Sequence, residues 1–414
     1  MDKLIFLFTQ FLQITVFVMG CYFFSISVFG WIKRKEENPL DYPPQKRFAV
    51  VIAAHNEELV IPHIIDSLLR QNYPRELYDI FVIADNCTDR TGEIAQAHGA
   101  IVYTRENRKQ RGKGYALEWM FEKIFTMGKK YDAVSVFDAD NLVSSNFLRE
   151  MNMQLCKGYK VVQGYIDSKN PFDSWITCSY SIAFWLSNRI FQLPRYYLGL
   201  TCGLCGTGFC VDLEVLRRIG WGATCLTEDL EFTVKLALND IKVAWAHNAV
   251  VYDEKPITLK QSWKQRKRWM QGHADCASRY LIPLLKKTLR EGNLVAFDCA
   301  IYLFQPIRFI LVGLATVMMW IQAIYPHSPL FHLKYTFPPE LWNIFVLFQL
   351  LYGPLVILAE KKFSPAVIWG FMIYPVYCLS WVPITIQGFL SKNDKYWHHT
   401  IHTRKISIND LEKA

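Results

Sequence analysis

The sequence predicts an α/β domain with a Rossmann-like mixed sheet, combined with α-helical transmembrane segments. Two observations predict this fold class. Short apolar runs alternate with helical patterns between residues 48 and 137, and much longer apolar runs lie near the start of the chain and in its last third. Apolar strands that alternate with helices indicate a mostly parallel sheet covered on both faces.

The composition narrows the class of partner. The chain of 414 residues is 51% hydrophobic and carries a formal charge of +9. A basic protein can bind nucleic acid, anionic lipid or phosphorylated small molecules. Binding to nucleic acid would leave the apolar runs unexplained, so the other two partners are favoured. The 11 cysteines lack the spacing of a disulfide framework or a zinc site, which predicts free thiols in a reducing compartment.

The first apolar run, residues 4–32, is long enough to cross a bilayer and lacks the cleavage site of a signal peptide. Lys33, Arg34 and Lys35 follow it directly. Because positive charge collects on the cytoplasmic side, the N-terminus is expected outside and the next domain in the cytoplasm. The predicted organisation is a transmembrane helix, a cytoplasmic α/β domain, amphipathic interface helices, a transmembrane region and a polar tail, in residues 1–35, 36–257, 258–292, 293–392 and 393–414.

Each element of the α/β domain is predicted from the period of its apolar residues. Strand-like apolar runs that end in polar turns lie at 48–54, 80–84, 101–103 and 133–137. Helical patterns lie between or after them at 61–70, 91–98 and 115–125. In such sheets the ligand lies at the carboxyl ends of the strands, so the polar residues directly after each strand are the candidate site.

Three later apolar runs predict membrane crossings at residues 301–325, 341–359 and 365–390. With the first run they make four crossings, which would place the C-terminus outside. The tail nevertheless carries Arg404, Lys405 and three histidines, a basic profile typical of the cytoplasmic side. Two alternatives follow: residues 365–390 enter the membrane and return, or the number of crossings differs by one.

Four polar clusters are predicted to end strands: His55-Asn56-Glu57-Glu58, Asp85-Asn86-Cys87-Thr88-Asp89, Asp138-Ala139-Asp140 and Thr227-Glu228-Asp229. A single carboxylate after a strand is often a helix cap, and capping remains the alternative for Glu58 and Asp89. Asp138 and Asp140 would repel each other without a cation between them. The pair therefore predicts a bound Mg²⁺ or Mn²⁺, which in turn would bridge a diphosphate.

Lys113 lies between two glycines at the predicted start of a helix. At that place an ammonium group and the backbone N–H groups can meet a phosphate, although the spacing of a Walker motif is absent. A flexible basic turn is the alternative.

Taken in order, these clusters resemble the inverting glycosyltransferases of family 2, especially the membrane-embedded synthases of cellulose, chitin, hyaluronan and poly-N-acetylglucosamine. The resemblance covers residues 48–273 and the placement of the apolar runs. It is completed by Gln265-Arg266-Lys267-Arg268-Trp269, which matches the Q-x-x-R-W signature linked to processive synthesis. It implies a GT-A nucleotide-sugar-binding domain. The implied partners are a UDP-sugar donor, a growing polysaccharide acceptor and the lipid bilayer, with no nucleic acid.

The resemblance also implies roles for individual residues. Asp229 would be the catalytic base, with Glu228 beside it and Arg268 at the leaving group, and Asp140 with Asp138 would hold Mg²⁺ or Mn²⁺. The implied substrate-binding residues are His55, Asn56, Glu57, Asp85, Lys113, Asp138, Gly206, Thr207, Gln265 and Trp269. Ala53 and His55 depart from the family's usual run at this point, where the family has an aromatic residue that stacks on the nucleotide. The glycine-rich residues 203–208 would let the backbone approach the acceptor sugar, and a tight turn is the alternative.

In the family, Q-x-x-R-W lies on an amphipathic helix at the membrane surface. Arg268 would then pair with the diphosphate, and Trp269 would stack on the acceptor sugar. Anionic headgroups would be contacted by the surrounding cations, which are Lys260, Lys264, Arg266 and Lys267, with Trp263 near the interface. A snorkelling membrane anchor without a catalytic role is the alternative.

The expected protein is a hexosyltransferase of the cell membrane that polymerises sugar units from a UDP-sugar into a β-linked polysaccharide and assists its export. One alternative is transfer of a single sugar to a lipid or oligosaccharide acceptor. Another is a catalytically inactive membrane transport subunit. That subunit would be expected to have lost motif residues, whereas Asp138, Asp140, Asp229 and Arg268 are all present.

Overall fold

The computed structural model describes residues 2–32, 37–222, 224–327, 339–394 and 404–412. The three cations on which the predicted orientation rests, Lys33, Arg34 and Lys35, lie outside the described residues. The same is true of the three histidines of the tail, which are His398, His399 and His402.

The α/β domain is built on a sheet of eight strands: β1 Phe48–Ala54, β2 Tyr78–Asp85, β3 Ile101–Arg105, β4 Ala133–Asp138, β5 Leu142–Val143, β6 Val161–Ser168, β7 Phe209–Asp212 and β8 Val243–Asp253. Their order across the sheet is β3-β2-β1-β4-β7-β6-β8-β5. Strands β3, β2, β1 and β4 are parallel neighbours, as β6 and β8 are, whereas β7 runs antiparallel to β4 and β6, and β5 antiparallel to β8. The sheet is therefore mixed, as predicted.

The α-helices are α1 Asp2–Ser27, α2 Ile61–Leu69, α3 Thr91–Ala97, α4 Lys113–Thr126, α5 Phe147–Cys156, α6 Trp175–Ser187, α7 Leu193–Leu198, α8 Leu213–Ile219, α9 Glu228–Leu238, α10 Leu259–Glu291, α11 Leu294–Ile324, α12 Pro339–Ala359, α13 Pro365–Leu390 and α14 Ile408–Glu412. The segment predicted to hold interface helices is a single helix, α10, of 33 residues. It begins at a capping box formed by Thr258 and Gln261 and ends at Gly292, which has the left-handed conformation.

Strand β1 is covered on both faces, which explains its unbroken apolar sequence. Ala49 and Val51 pack in a core that includes side chains of α4, and Val50 and Ile52 pack in a second core that includes side chains of α2. Because successive side chains of a strand point to opposite faces, one apolar run supplies both cores. The register pairs Ala53 with both Ile83 of β2 and Asp138 of β4, so the first three polar clusters meet at one edge of the sheet.

The prediction that Thr227-Glu228-Asp229 ends a strand is wrong, because these residues begin helix α9. Acidic side chains in the first turn of a helix are stabilised by the partial positive charge of its N-terminus. The cluster still reaches the same edge of the sheet, because the start of α9 lies beside Gly206 in the segment that leads into β7.

Among the described residues, three segments are long and apolar enough to cross a membrane by length and composition, namely Lys3–Trp31, Leu294–Ile324 and Pro365–Leu390. They correspond to the first, second and fourth crossings that the sequence predicts. The third predicted crossing falls in α12, which is not among the three.

The prediction that Arg266 contacts lipid headgroups is wrong, because its side chain is buried under α13. Its Nη1 atom donates to Ser380 Oγ at 2.8 Å. The guanidinium carbon lies 4.4 Å from the ring centroid of Tyr377 and 5.0 Å from that of Trp381. Aromatic faces accept a cation in this way, so the charge is held by rings of α13 rather than by phosphate headgroups. Lys260 and Lys264 lie on another face of α10 and are exposed.

Candidate active site

A cavity of about 640 Å³ opens at the carboxyl ends of β1, β2 and β4. It lies within the size range of ligand pockets. Its wall contains all but one of the predicted site residues, namely His55, Glu57, Asp85, Lys113, Asp138, Asp140, Gly206, Thr207, Glu228, Asp229, Gln265, Arg268 and Trp269. The exception is Asn56, whose Oδ1 accepts the backbone N–H of Thr88 at 2.8 Å. Asn56 thus joins the loop after β1 to the loop after β2.

Asp85 forms a buried ion pair with Arg105, whose Nη1 donates to Asp85 Oδ1 at 2.6 Å. Because the two residues are register partners at the ends of β2 and β3, the pairing follows directly from the sheet. His55 Nδ1 lies 2.7 Å from the backbone oxygen of Asp85. The Asp85 carboxylate is therefore held in one orientation at the cavity wall. Arg105 was not among the predicted site residues. Its position at the end of β3, the strand that pairs with β2, could have identified it as the partner of Asp85.

Lys113 is the first residue of α4 and donates a hydrogen bond to the carboxylate of Asp138. Its Nζ also donates to the backbone oxygen of Gly206 at 2.7 Å. Burial by itself would lower the pKa of Lys113, but the carboxylates of Asp138 and Glu228 raise this pKa above its usual value overall. The side chain is therefore a charged ammonium in the wall of the cavity.

Asp140 is buried in the cavity wall, and its Oδ2 accepts the backbone N–H of Glu254 at 3.0 Å. Lys169 Nζ donates to the backbone oxygen of Asp140 at 2.7 Å and lies 3.3 Å from Glu254 Oε2. These contacts with Lys169 and Glu254 fix the segment that carries Asp140. Lys169 was not predicted, because it follows β6, a strand that the sequence analysis did not identify.

Asp138 and Asp140 supply carboxylate oxygens, the ligand type that suits Mg²⁺ and Mn²⁺. In the described part of the chain, no group of three or more His, Cys, Asp or Glu side chains is arranged to hold a metal ion. Mg²⁺ is commonly held by one or two carboxylates, with water and substrate phosphates as its other ligands. The residues present therefore fit a divalent ion that binds together with a diphosphate.

Asp229 faces the cavity from the first turn of α9, and its Oδ1 accepts the backbone N–H of Leu230 at 2.8 Å. Burial and the neighbouring carboxylate of Glu228 raise the pKa of Asp229 to about 7. Burial raises the pKa of Glu228 as well. A carboxylate with a pKa near neutrality can accept a proton from a hydroxyl group at a useful rate.

Two glycines allow the backbone to come close to this carboxylate cluster. Gly206 has a φ of +80°, and a Cβ atom there would lie 3.4 Å from Asp229 Oδ2. A Cβ atom at Gly272 of α10 would lie 2.4 Å from Thr227 Oγ1. Helix α10 thus packs directly on the segment that begins α9. Gly272 was not predicted, and a glycine inside a helical pattern was its signal.

Helix α10 brings Q-x-x-R-W to the wall of the cavity. The hydroxyl group of Tyr180 donates to Gln265 Oε1 at 3.0 Å, and Arg268 and Trp269 also line the cavity. The ring of Trp269 stacks on Trp381 of α13, with centroids 6.4 Å apart and an interplanar angle of 19°. Trp269 therefore stands between the cavity and an apolar helix.

Comparison with known families and proteins agrees with this geometry. The sequence model of the family described as glycosyltransferase like family 2 matches residues 43–272. A probable glycosyltransferase, YdaM, of Bacillus subtilis (strain 168) is 23% identical over 389 residues, which are 89% of this chain and 89% of that protein.

Two further relatives match a smaller part of the chain. The beta-monoglucosyldiacylglycerol synthase of Synechocystis sp. is 28% identical over 55% of this chain. The poly-beta-1,6-N-acetyl-D-glucosamine synthase of Staphylococcus epidermidis is 24% identical over 60% of it. The aligned part of this chain spans only 48% of the length of the first and 60% of the second.

Among solved structures, the mannosyltransferase PcManGT from Pyrobaculum calidifontis, in complex with GDP-Man and Mn²⁺, is similar to this chain with a TM-score of 0.61. The likeness covers 96% of this chain and 100% of that chain, at 17% sequence identity. Together with the family match, it confirms the predicted GT-A fold.

Proposed function

Because the chain belongs to glycosyltransferase like family 2, we propose that its cavity transfers a hexosyl group from a UDP-sugar to an acceptor hydroxyl at the membrane surface. Membership makes the chain an inverting hexosyltransferase with a nucleotide-sugar donor. One observation carries the rest of the proposal. Asp138, Asp229, Arg268 and Trp269 come from four separate parts of the chain and line one cavity.

The donor diphosphate is proposed to lie between Lys113 at the start of α4 and Arg268 on α10. A guanidinium and an ammonium group that line the same cavity can both contact phosphate oxygens and offset the charge that grows on the leaving group. Asp138 and Asp140 would hold Mg²⁺ or Mn²⁺, and this ion would supply further stabilisation of the same charge. Asp85 is proposed to contact the nucleoside, in the orientation that its ion pair with Arg105 imposes.

The acceptor hydroxyl is proposed to approach Asp229, which takes its proton as the oxygen attacks the anomeric carbon. A single displacement inverts that carbon, so an α-linked donor gives a β-linked product. The absence of a side chain at Gly206 leaves room beside Asp229 Oδ2, where a Cβ atom would lie at 3.4 Å.

For the acceptor, we propose a growing β-linked polysaccharide, which the Q-x-x-R-W sequence favours. Transfer of one sugar to a membrane lipid is the second candidate, and a specific contact favours it. Trp269 stacks on Trp381, and α13, which carries Trp381, also presents apolar side chains such as Trp369 and Met372 that are 68% and 67% exposed. A lipid headgroup presented at that helix would be close to the cavity.

The substitutions Trp269→Ala and Arg268→Ala test whether Trp269 binds the acceptor sugar while Arg268 binds the diphosphate. We expect Trp269→Ala to shorten the product while UDP release by hydrolysis changes little, because an indole ring serves the sugar acceptor and not the diphosphate. Loss of one stacking contact costs on the order of 1 kcal/mol, or roughly fivefold in binding at each addition. Arg268→Ala should lower both polymer formation and hydrolysis, because leaving-group stabilisation is lost in either reaction.

The measurement is product length on a gel beside UDP release, with purified protein, UDP-sugars and Mg²⁺ or Mn²⁺. Trp263→Ala is the matched control, since Trp263 lies on the same helix but does not line the cavity. Normal product length and rate for Trp269→Ala would refute the stacking role. If the unchanged protein adds one sugar to lipid and stops, the second candidate replaces the first.

Acid should inactivate the enzyme as Asp229 takes up a proton. With a pKa of about 7 in the free protein, kcat/KM should fall about tenfold per pH unit below that value, because only the carboxylate accepts the proton of the acceptor. Glu228→Gln should move this acid limb to lower pH, since the carboxylate of Glu228 raises the pKa of Asp229. A profile of kcat/KM against pH measures both effects, and an acid limb that does not move in the Gln variant would contradict the coupling.

A further inference from the structure

Helix α13 is long enough to cross a bilayer, yet it is bound to the α/β domain just before its start and to α10 at its middle and its end. Just before the helix, Lys362 Nζ donates to Asp167 of β6 at 2.7 Å. Near its middle, Ser380 accepts from the buried Arg266 at 2.8 Å. A helix that crossed a membrane would carry its two ends to opposite sides, about 39 Å apart for a helix of 26 residues.

The far end of α13 is bound to α10, where Gln271 Nε2 donates to the backbone oxygen of Ser391 at 2.9 Å. The helices beneath α13 are α6 and α10, and both border the cavity, through Phe184 and Gln265 respectively. A cavity that accepts a nucleotide sugar must open to water. Both halves of α13 are therefore bound to elements that border one cavity open to water.

The opposite face of α13 is exposed and apolar. Its side chains recur at helical spacing and are Ile368, Trp369, Met372, Ile373, Val376, Leu379, Ile386 and Leu390. An apolar stripe of this length would be unfavourable in water. It is continuous with α11, a candidate membrane span, because a Cβ atom at Gly313 of α11 would lie 2.6 Å from Val382.

The charges next to the two ends of α13 agree with a position of both ends on one side of the membrane. Lys361 and Lys362 precede the helix, and Lys392 follows it. Positive charge collects on the cytoplasmic side of membrane segments, and here it stands at both ends. The described tail also returns to the domain, where Arg404 Nη1 lies 2.8 Å from Asp173 and the backbone N–H of Arg404 donates to Glu254 at 3.2 Å.

We propose that α13 does not cross the membrane but lies in its cytoplasmic interface, with its exposed face in the acyl chains of one leaflet. An interfacial helix buries its apolar face about 5–10 Å into that boundary. The tail then lies in the cytoplasm, in agreement with its basic residues. The proposal rests on the membrane setting of the proposed function and not on the transfer reaction.

Two cysteine variants of the full chain test the side of each end. Phe363→Cys and Lys392→Cys, each exposed, should react with a membrane-impermeant maleimide only when the cytoplasmic face of membrane vesicles is outward. Arg218→Cys on the α/β domain is the control for that face, and labelling is counted above a parent chain with Cys378→Ser. If one of the two variants is labelled only from the other face, α13 crosses and the proposal is wrong.

A depth measurement tests the same proposal independently. Spin labels at Ile368→Cys, Met372→Cys and Leu379→Cys should share one shallow depth, whereas a crossing helix would separate the first and last by about 16 Å. Val312→Cys and Ile324→Cys on α11 are the control, and their depths should differ. A gradient along α13 would overturn the proposal. UDP release measured on the same samples separates this outcome from failure of the proposed activity.

Discussion

Replacing Asp229 by asparagine is expected to abolish sugar transfer and to leave UDP binding nearly unchanged. Removal of a positioned general base costs about 10²- to 10⁴-fold in rate. Asparagine keeps the size of the side chain and an oxygen that can accept the N–H of Leu230, which Asp229 Oδ1 accepts at 2.8 Å. The donor contacts proposed for Lys113, Asp138 and Arg268 are untouched. The measurement is transfer rate together with calorimetric binding of UDP and metal.

The loss of activity expected for Asp229→Asn could also arise from unfolding, and a measurement of thermal stability excludes that explanation. The pKa of Asp229 is raised to about 7 in the folded protein, so the ionised side chain destabilises the fold at higher pH, and the neutral amide should unfold at the same or a higher temperature at pH 8. Asp240→Asn, directly after α9 and exposed to solvent, is the matched control and should retain full activity. Full turnover by Asp229→Asn would refute the assignment of the base.

The parallel strands β1 to β4 were predictable because each is a continuous apolar run in the sequence. Strand β1 has the predicted bounds, and β2, β3 and β4 extend the predicted runs by a few residues at their ends. Helices α2, α3 and α4 also lie where the helical period places them. Burial on both faces makes such strands continuously apolar, and the polar residues that follow them are then conspicuous. Most of the predicted site residues were found in this way or through the resemblance to family 2.

The remaining parts depend on contacts that no local pattern encodes. Strands β5, β6, β7 and β8 were not predicted, and β5 has only two residues, so it is defined by its pairing with β8. Arg266 lies in a basic run typical of an exposed helix face, and only the packing of α13 buries it. Lys169 is likewise identified by its contact with Asp140 across the fold. Tertiary contacts thus decide which charges of a basic protein face solvent and which face the site.

Asp140→Asn is expected to remove the response to Mn²⁺ together with activity. Asparagine retains an oxygen for the N–H of Glu254, which Asp140 Oδ2 accepts at 3.0 Å, so the segment should keep its conformation while one anionic metal ligand is lost. An ion that neutralises a leaving diphosphate contributes several kcal/mol to the transition state, so we expect a loss of at least about a hundredfold. The readouts are transfer rate against Mn²⁺ concentration and Mn²⁺ binding in the presence of UDP.

Asp138→Asn provides the comparison that makes the metal assignment specific. Asp138 also accepts a hydrogen bond from Lys113, so its replacement should weaken metal binding and also lower the pKa of Lys113, whose value the Asp138 carboxylate raises. Asp140→Asn should affect the metal without this change at Lys113, because Lys113 donates to Asp138, whereas Asp140 Oδ2 accepts the backbone N–H of Glu254. If Asp140→Asn retains a normal Mn²⁺ response and Asp138→Asn does not, the ion is held by Asp138 with the diphosphate, and the paired-carboxylate site is wrong. Loss of Mn²⁺ binding in both variants would place the ion between the two carboxylates, where it would relieve the repulsion that two adjacent anions otherwise cause.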